Sequence, residues 1–195
     1  MKTESDILIV GGGIIGLSLA IELRLRGVTV TVVSRDFQQG ATQAAAGMLA
    51  PQAEGLPSGP LLDLCWRSRS LYPGWTQKLE AIASLTTNYW PCGILALVYE
   101  QGTRVQGGSI SHLPTSPALW LDKQAIHQSQ PGLGKEVIGG WWFPEDAQVD
   151  SRALARTLWA VARELGINLR EGVTVEAICQ QQGQVVGVQT SAGIL

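Results

Sequence analysis

Apolar positions along this 195-residue chain fall into distinct local patterns. Ile7–Val10 is a short unbroken apolar run, the pattern of a strand buried on both faces of a parallel sheet. A helical stretch follows from about Ile14 to Arg26, and Gly27 stands where a helix commonly ends on a left-handed residue. Val28–Val33, "VTVTVV", alternates and is rich in β-branched residues, which predicts a second strand. The three segments form a βαβ unit, right-handed by rule. Ser18 and Ala20 are small enough to let its helix lie close on the sheet. Near the other end, Leu154, Leu158, Val161, Ala162 and Leu165 recur at helical spacing behind an N-cap at Asp150 or Ser151. Arg152, Arg156 and Arg163 fall on the opposite face, which reads as solvated. Gly166 closes this helix, and "INLREG" predicts a strand returning to the parallel sheet. "VTVEAI" and "QVVGVQT", separated by "CQQQGQ", predict an antiparallel hairpin.

The middle of the chain is less regular. Prolines 51, 57 and 60 with glycines 55 and 59 predict an irregular connection. From Leu61 the pattern is helical, with Leu61, Leu64, Cys65, Ser68 and Leu71 along one stripe, and Pro73–Gly74 is expected to break or kink it. Cys92–Glu100 and Val137–Glu145 read as strands of a second, antiparallel sheet, packed by many of the seven tryptophans. Some of those aromatics would suit a substrate cavity or a subunit interface. Gln39–Gly55, "QGATQAAAGMLAPQAEG", carries six alanines between Ala41 and Ala53. It fits an Ala-rich helix, since alanine is the best helix former. It fits equally a loop trimmed of side chains so that something flat can lie on its backbone.

Composition narrows the class. The chain is 45% hydrophobic and 15% charged, enough for a packed core and too apolar for disorder. A net charge of −2 gives no reason to expect nucleic acid or an acidic membrane surface as partner. Cys65, Cys92 and Cys179 contain no C-x-x-C pair, so reduced thiols are expected and a metal site is not. "MKTESD" leads straight into the first strand without a signal peptide, and no apolar run is long enough to span a bilayer. A cytoplasmic location is the expectation.

The chemistry sits in the first βαβ unit. Gly11, Gly13 and Gly16 follow the first strand at G-x-G-x-x-G spacing and open the helix. The first glycine allows the tight turn, the second lets a pyrophosphate approach the backbone, and the third lets helix and strand pack closely. Unpaired N–H groups and the helix dipole favour an anion there. The dinucleotide is left open by the end of the second strand. A carboxylate usually stands there for the ribose hydroxyls, but this chain has Ser34, Arg35 and then Asp36. A hydroxyl and a guanidinium suit a 2′-phosphate, so an NADP-binding reductase is the alternative. His112 and His127 are isolated from any partner at catalytic or metal spacing. Asp122, Glu145 and Asp146 read as turn and strand-end residues.

"DILIVGGGIIG" (Asp6–Gly16), "AAAGMLAPQAE" (Ala44–Glu54), "LYPGW" (Leu71–Trp75) and "DAQVDSRALARTL" (Asp146–Leu158) together resemble the FAD-dependent amine and D-amino acid oxidase family. Within it the resemblance is greatest to the glycine oxidases of thiamine biosynthesis, and it covers essentially the whole chain. It implies an α/β fold: a Rossmann-like FAD-binding domain of the glutathione-reductase kind at residues 1–60 and 146–195, and part of a mainly antiparallel α+β substrate domain at residues 61–145. It implies that Gly11, Gly13, Ile14, Ile15 and Gly16 hold the FAD pyrophosphate, with Ser34 and Arg35 near the adenosine ribose. Ala41, Thr42, Gln43, Ala46, Gly47 and Met48 would line the flavin, and the backbone of Val175 would meet the adenine. The implied partners are a small amino acid and dioxygen, with a homo-oligomer or a fusion to thiazole synthase in the parent protein. Family members continue well beyond "TSAGIL", so the chain is expected to be an N-terminal half, with the residues that grip the substrate carboxylate outside it. A half of this kind on its own is also open to a second reading, a nucleotide-binding module without catalysis. Its uncovered sheet edge predicts poor solubility.

Overall fold

In the computed structural model, residues 5–99 and 117–195 are described; His112 and Glu100 lie outside them. In chain order the elements are β1 (Ile7–Val10), α1 (Ile14–Leu25), β2 (Val30–Ser34), a 3₁₀ turn at Ala41–Gln43, β3 (Met48–Leu49), α2 (Pro60–Ala83), β4 (Ile94–Tyr99) and β5 (Leu119–Asp122). Then come α3 (Lys123–Ser129), β6 (Val137–Phe143), β7 (Ala147–Gln148), α4 (Ser151–Glu164), β8 (Asn168–Glu171), β9 (Val175–Gln181), β10 (Gln184–Thr190) and β11 (Gly193–Ile194). The chain divides into two compact units. The first comprises the described parts of Met1–Ala46, Gln77–Thr87 and Asp150–Leu195, the second those of Gly47–Thr76 and Asn88–Val149.

The first unit is built on a parallel sheet of order β1-β2-β8. Every residue of the central strand β2 is buried. α1 packs against β2 and α4, and Leu17, Ala20, Ile21, Leu154, Leu158, Val161 and Ala162 bury almost completely. Each large aliphatic among them contributes about 1.5–3 kcal/mol by leaving water. α1 ends in a Schellman turn: Gly27 has φ +87, its N–H donates to Arg24 O at 3.0 Å, and Val28 N–H donates to Leu23 O at 3.1 Å. That turn occupies Val28, which is why β2 starts at Val30 rather than at the start of the alternating run. Asp150, not Ser151, caps α4, accepting from the N–H of Arg152 and Ala153. The Arg24 side chain ties α1 to the end of this helix, donating to Leu165 O at 2.9 Å. β9, β10 and β11 form a separate antiparallel sheet. Its hairpin turns at Gln182–Gly183, both with positive φ, the geometry of a type I′ turn. β11 had no signal in the sequence beyond a glycine.

The second unit holds the antiparallel sheet β4-β6-β5 and the two-stranded ribbon β3-β7. Ala50, Ala53, Ala96 and Phe143 form its core, with Trp141 against them. Gly139 and Gly140 are glycine in mid-strand because a Cβ would strike the Trp120 ring at one and the Ala96 carbonyl at the other. The expected break in α2 at Pro73–Gly74 is absent. The helix runs unbroken through Pro73. The proline removes one backbone bond, a loss of about 3 kcal/mol or more. Anchors on both sides outweigh it: Thr76 is buried, its hydroxyl donates to Tyr72 O at 2.8 Å, and the Tyr72 ring packs edge-on to Trp75 and stacks on Tyr89. The buried stripe also differs. Leu61, Leu64 and Leu71 are exposed, whereas Leu62, Thr76 and Leu79 are buried. Arg69 shares that inner stripe because it pairs with the fully buried Asp146. An ion pair, invisible to a hydrophobicity count, sets the helix's rotation.

Gln39–Gly55 is a loop and not an Ala-rich helix. After the 3₁₀ turn, Gly47 takes φ +80, and Met48–Leu49 pairs as β3 with Ala147–Gln148. The left-handed glycine and the strand pairing both forbid helix propagation.

Candidate functional site

β1 delivers the chain to Gly11, whose φ of +109 turns it out of the sheet while its N–H holds Val33 O at 2.8 Å. Gly13 is the extended N-cap of α1; it offers no side-chain cap, and no acid stands in the first turn. The positive end of the helix is therefore left uncompensated by charge. Of the first-turn donors, Ile14 N–H reaches Thr42 Oγ1 at 3.1 Å. Gly16 packs on the Gly11 carbonyl so closely that a Cβ there would collide with backbone. Gly12, between them, lies under the Phe37 ring, which a Cβ would also strike.

This turn forms one wall of a cavity of about 560 Å³, wholly within the first unit. Gly12, Gly13, Ile14, Phe37, Thr42 and Gln43 line that side, Arg156 and Trp159 of α4 line another, and Glu171 stands at the end of β8. A Cβ on Gly13 would point toward Thr42 Oγ1 at 3.4 Å and narrow the space before the helix start. The backbone, the uncapped first turn and the bare cavity wall fit a pyrophosphate.

The sequence-predicted residues are placed unequally. Gly13, Ile14, Thr42 and Gln43 line the cavity; Gly11 and Gly16 shape the turn behind it; Ile15 is exposed on α1. Ala41 belongs to the 3₁₀ turn. Ser34 ends β2 and Arg35 follows it, and neither lines the cavity. Ser34 Oγ donates to Asp36 O at 3.1 Å, and Asp36 Oδ1 accepts Gln38 N–H at 2.6 Å. Val175 opens β9, two residues after Val173, whose N–H donates to Ser34 O at 3.1 Å. Ala46 closes its segment of the first unit, while Gly47 and Met48 belong to the second. Met48 there lines a small cavity of about 160 Å³ with Cys65 and Arg69.

Gly12, Phe37, Arg156 and Glu171 are among the cavity residues that sequence reasoning did not assign to a site. Arg156 is exposed, as its helix face predicts, yet it also walls the cavity. Glu171 carried one signal, its place at the end of a predicted parallel strand. His127 Nε2–H donates to Val137 O at 3.1 Å, a structural tie within the second unit. Asp122 caps α3 through Ala125 N–H. Asp146 does more than end a strand. It is fully buried, accepts Ala53 N–H at 3.0 Å and pairs with Arg69, which also holds Glu145 at 2.7 Å. Burial raises the Asp146 carboxyl from its usual range, opposed by the Ala53 N–H and Arg69. Among the described residues no helix is long and apolar enough to cross a membrane.

A parallel βαβ unit with a glycine turn facing an anion-ready cavity defines an α/β dinucleotide-binding protein. Residues 6–195 match the FAD dependent oxidoreductase (DAO) family, and the chain belongs to it. FAD, the cofactor of that family, settles the choice that Ser34 and Arg35 left open between FAD and NADP. The chain is 61% identical over 194 residues to the Bifunctional protein ThiO/ThiG of Nostoc sp. strain PCC 7120, covering 97% of this chain and 29% of that protein. It is 30% identical to the glycine oxidase of Bacillus licheniformis, over 95% of this chain and 50% of the relative. The crystal structure of glycine oxidase from Geobacillus kaustophilus superposes with a TM-score of 0.84 at 29% identity, covering 97% of this chain and 52% of that one. The chain thus spans less than a third of the bifunctional relative and about half of the glycine oxidases.

Proposed function

We propose that this chain is the FAD-holding part of an oxidase that converts glycine, or a similarly small amino acid, with dioxygen and water into the oxo acid, ammonia and hydrogen peroxide. For glycine the oxo acid is glyoxylate. The observation that carries the reading is the glycine turn opening onto an uncapped helix and a bare cavity, in a chain similar throughout to glycine oxidases. Bound FAD supplies the two-electron acceptor that no protein side chain can provide. The first turn of α1 at Gly13, Ile14 and Ile15 would hold its pyrophosphate, and Gly11 and Gly16 keep that turn in place. Thr42 ties the 3₁₀ turn to the helix start, so Ala41–Gln43 and Ala46 would stand beside the flavin. The Val175 backbone would meet the adenine at the end of the parallel sheet. Similarity to the bifunctional protein supports supply of thiamine biosynthesis, with a fusion to thiazole synthase in the parent polypeptide. Cys65, Cys92 and Cys179 are free thiols, which suits the cytoplasm.

The test is the absorbance spectrum of the purified protein after incubation with FAD and desalting, followed by anaerobic addition of glycine. Retained flavin bands that bleach with glycine are expected. Retained bands indifferent to any small amino acid would leave a cofactor-binding module without catalysis. A colourless protein that instead retains NADP would sink the proposal.

A further inference from the structure

Resting on the FAD reading, we propose that Glu171, at the end of β8, is the carboxylate that accepts the hydroxyls of the adenosine ribose, in place of an acid at the end of β2. A ribose diol presents two hydroxyl hydrogens, and an ionised carboxylate is the side chain best supplied with acceptors for both. At the end of β2 this chain has Ser34, whose hydroxyl donates to Asp36 O at 3.1 Å. Asp36 is turned into its own loop, accepting Gln38 N–H at 2.6 Å. Arg35 has no acceptor to give.

Glu171 has what those three lack. It is the direct register partner of Ser34 in the parallel pair β2–β8. Paired residues of parallel strands project from the same face, so the acid is displaced sideways by one strand spacing, about 4.8 Å, without changing face. It lines the cavity together with Gly12 and Gly13, the residues beside which the pyrophosphate would sit. Its Oε1 accepts Phe37 N–H at 3.3 Å, which orients the group. Oε2 has no hydrogen bond among the described residues. The same negative charge would repel a 2′-phosphate, so Glu171 also sets specificity for an unphosphorylated ribose.

The test is a binding titration of the full chain with FAD, ADP, 2′,3′-dideoxy-ADP and adenosine 2′,5′-bisphosphate, for the wild type, Glu171→Gln and Glu171→Asp. Circular dichroism melts establish that each variant is folded. In Glu171→Gln, FAD and ADP should bind about tenfold more weakly, the loss of a charge-assisted acceptor. Dideoxy-ADP should bind unchanged, the bisphosphate more tightly, and Glu171→Asp should recover part of the ADP affinity. Wild type that binds FAD with Glu171→Gln binding it equally, or an equal loss for ADP and dideoxy-ADP, overturns the role of Glu171 and leaves the FAD reading standing. Wild type that binds neither FAD nor ADP overturns both.

Discussion

Replacing Gly16 with alanine asks whether the nucleotide turn is fixed by close packing or by backbone freedom. Gly16 is not among the residues with positive φ, so backbone strain plays no part. Alanine would gain up to about 1 kcal/mol of helix propensity over glycine. Space opposes that gain. A Cβ on Gly16 would overlap the Gly11 carbonyl oxygen, with Gly11 C at 3.1 Å and Ile9 Cγ2 at 3.3 Å close behind. The first two are backbone atoms of the turn itself, so relief requires shifting either the strand exit or the helix start. Overpacking of this kind costs about 1–3 kcal/mol, and more where backbone moves. The collision therefore outweighs the propensity, for a net loss of about 1–2 kcal/mol. For a chain of this length each kcal/mol lowers Tm by about 2–4 °C, so a thermal melt should fall by roughly 2–8 °C. The displaced helix start should also weaken FAD binding by about tenfold or more, read by quenching of flavin fluorescence. Gly27→Ala is the control. Its φ is +87 and nothing lies within 4 Å of the added methyl, so it should cost about 1 kcal/mol of stability and leave FAD affinity unchanged. A Gly16→Ala protein that melts with the wild type and binds FAD as well would refute the packing argument.

Arg69→Met leaves the Asp146 carboxylate buried without its partner; a loss of about 3–5 kcal/mol in a urea titration is expected, and Asp146→Asn, which removes the charge, should lose less. Asp150→Ala removes the acceptor for Arg152 N–H and Ala153 N–H and should lower stability by about 1 kcal/mol, seen as a small drop in Tm. Glu80 is held below its usual value of 4.5, first by the Thr87 hydroxyl and then by the Thr87 N–H. A lowered carboxyl contributes stability that is present above 4.5 and lost as pH falls through the folded value. Glu80→Gln should therefore flatten the acid limb of urea midpoints taken between about pH 6 and about pH 3.

The legible parts of the fold were those whose signal is local. Ile7–Val10, the run into Gly27 and the Asp150-capped helix each carry their period and their stop within one segment, and the structure reproduces them to within a residue or two. What failed depended on partners distant in sequence. Pro73 reads as a breaker only to an observer who does not see Tyr89 stacked on Tyr72. The rotation of α2 follows from Asp146 capturing Arg69, a pairing across 77 positions that no periodicity encodes. The Ala-rich stretch was undecidable from composition because its loop is enforced by β7, a strand of two residues. At the candidate site the glycines were legible because their spacing is the signal. Glu171 and Phe37 were not, since neither belongs to a motif and both arrive at the cavity through strand order.

Gly11, Gly12 and Gly13 are glycine for three different reasons. Gly11 needs its positive φ of +109. Gly13 is extended, with φ −82 and ψ −172, a conformation open to any residue; it is small because it borders the cavity. Gly12 is the position the dinucleotide spacing leaves open, and here it is fixed by Phe37, whose ring occupies the place of its missing Cβ. Phe37 also donates its N–H to Glu171, so one residue just beyond β2 covers the turn and orients the acid. An acid at position 34 in addition would set two carboxylates on directly paired positions of neighbouring parallel strands, roughly 5 Å apart, where like charges repel. The serine at the end of β2, the acid at the end of β8 and Gly12 under the Phe37 ring are then three parts of one arrangement, the one the proposed ribose contact of Glu171 requires.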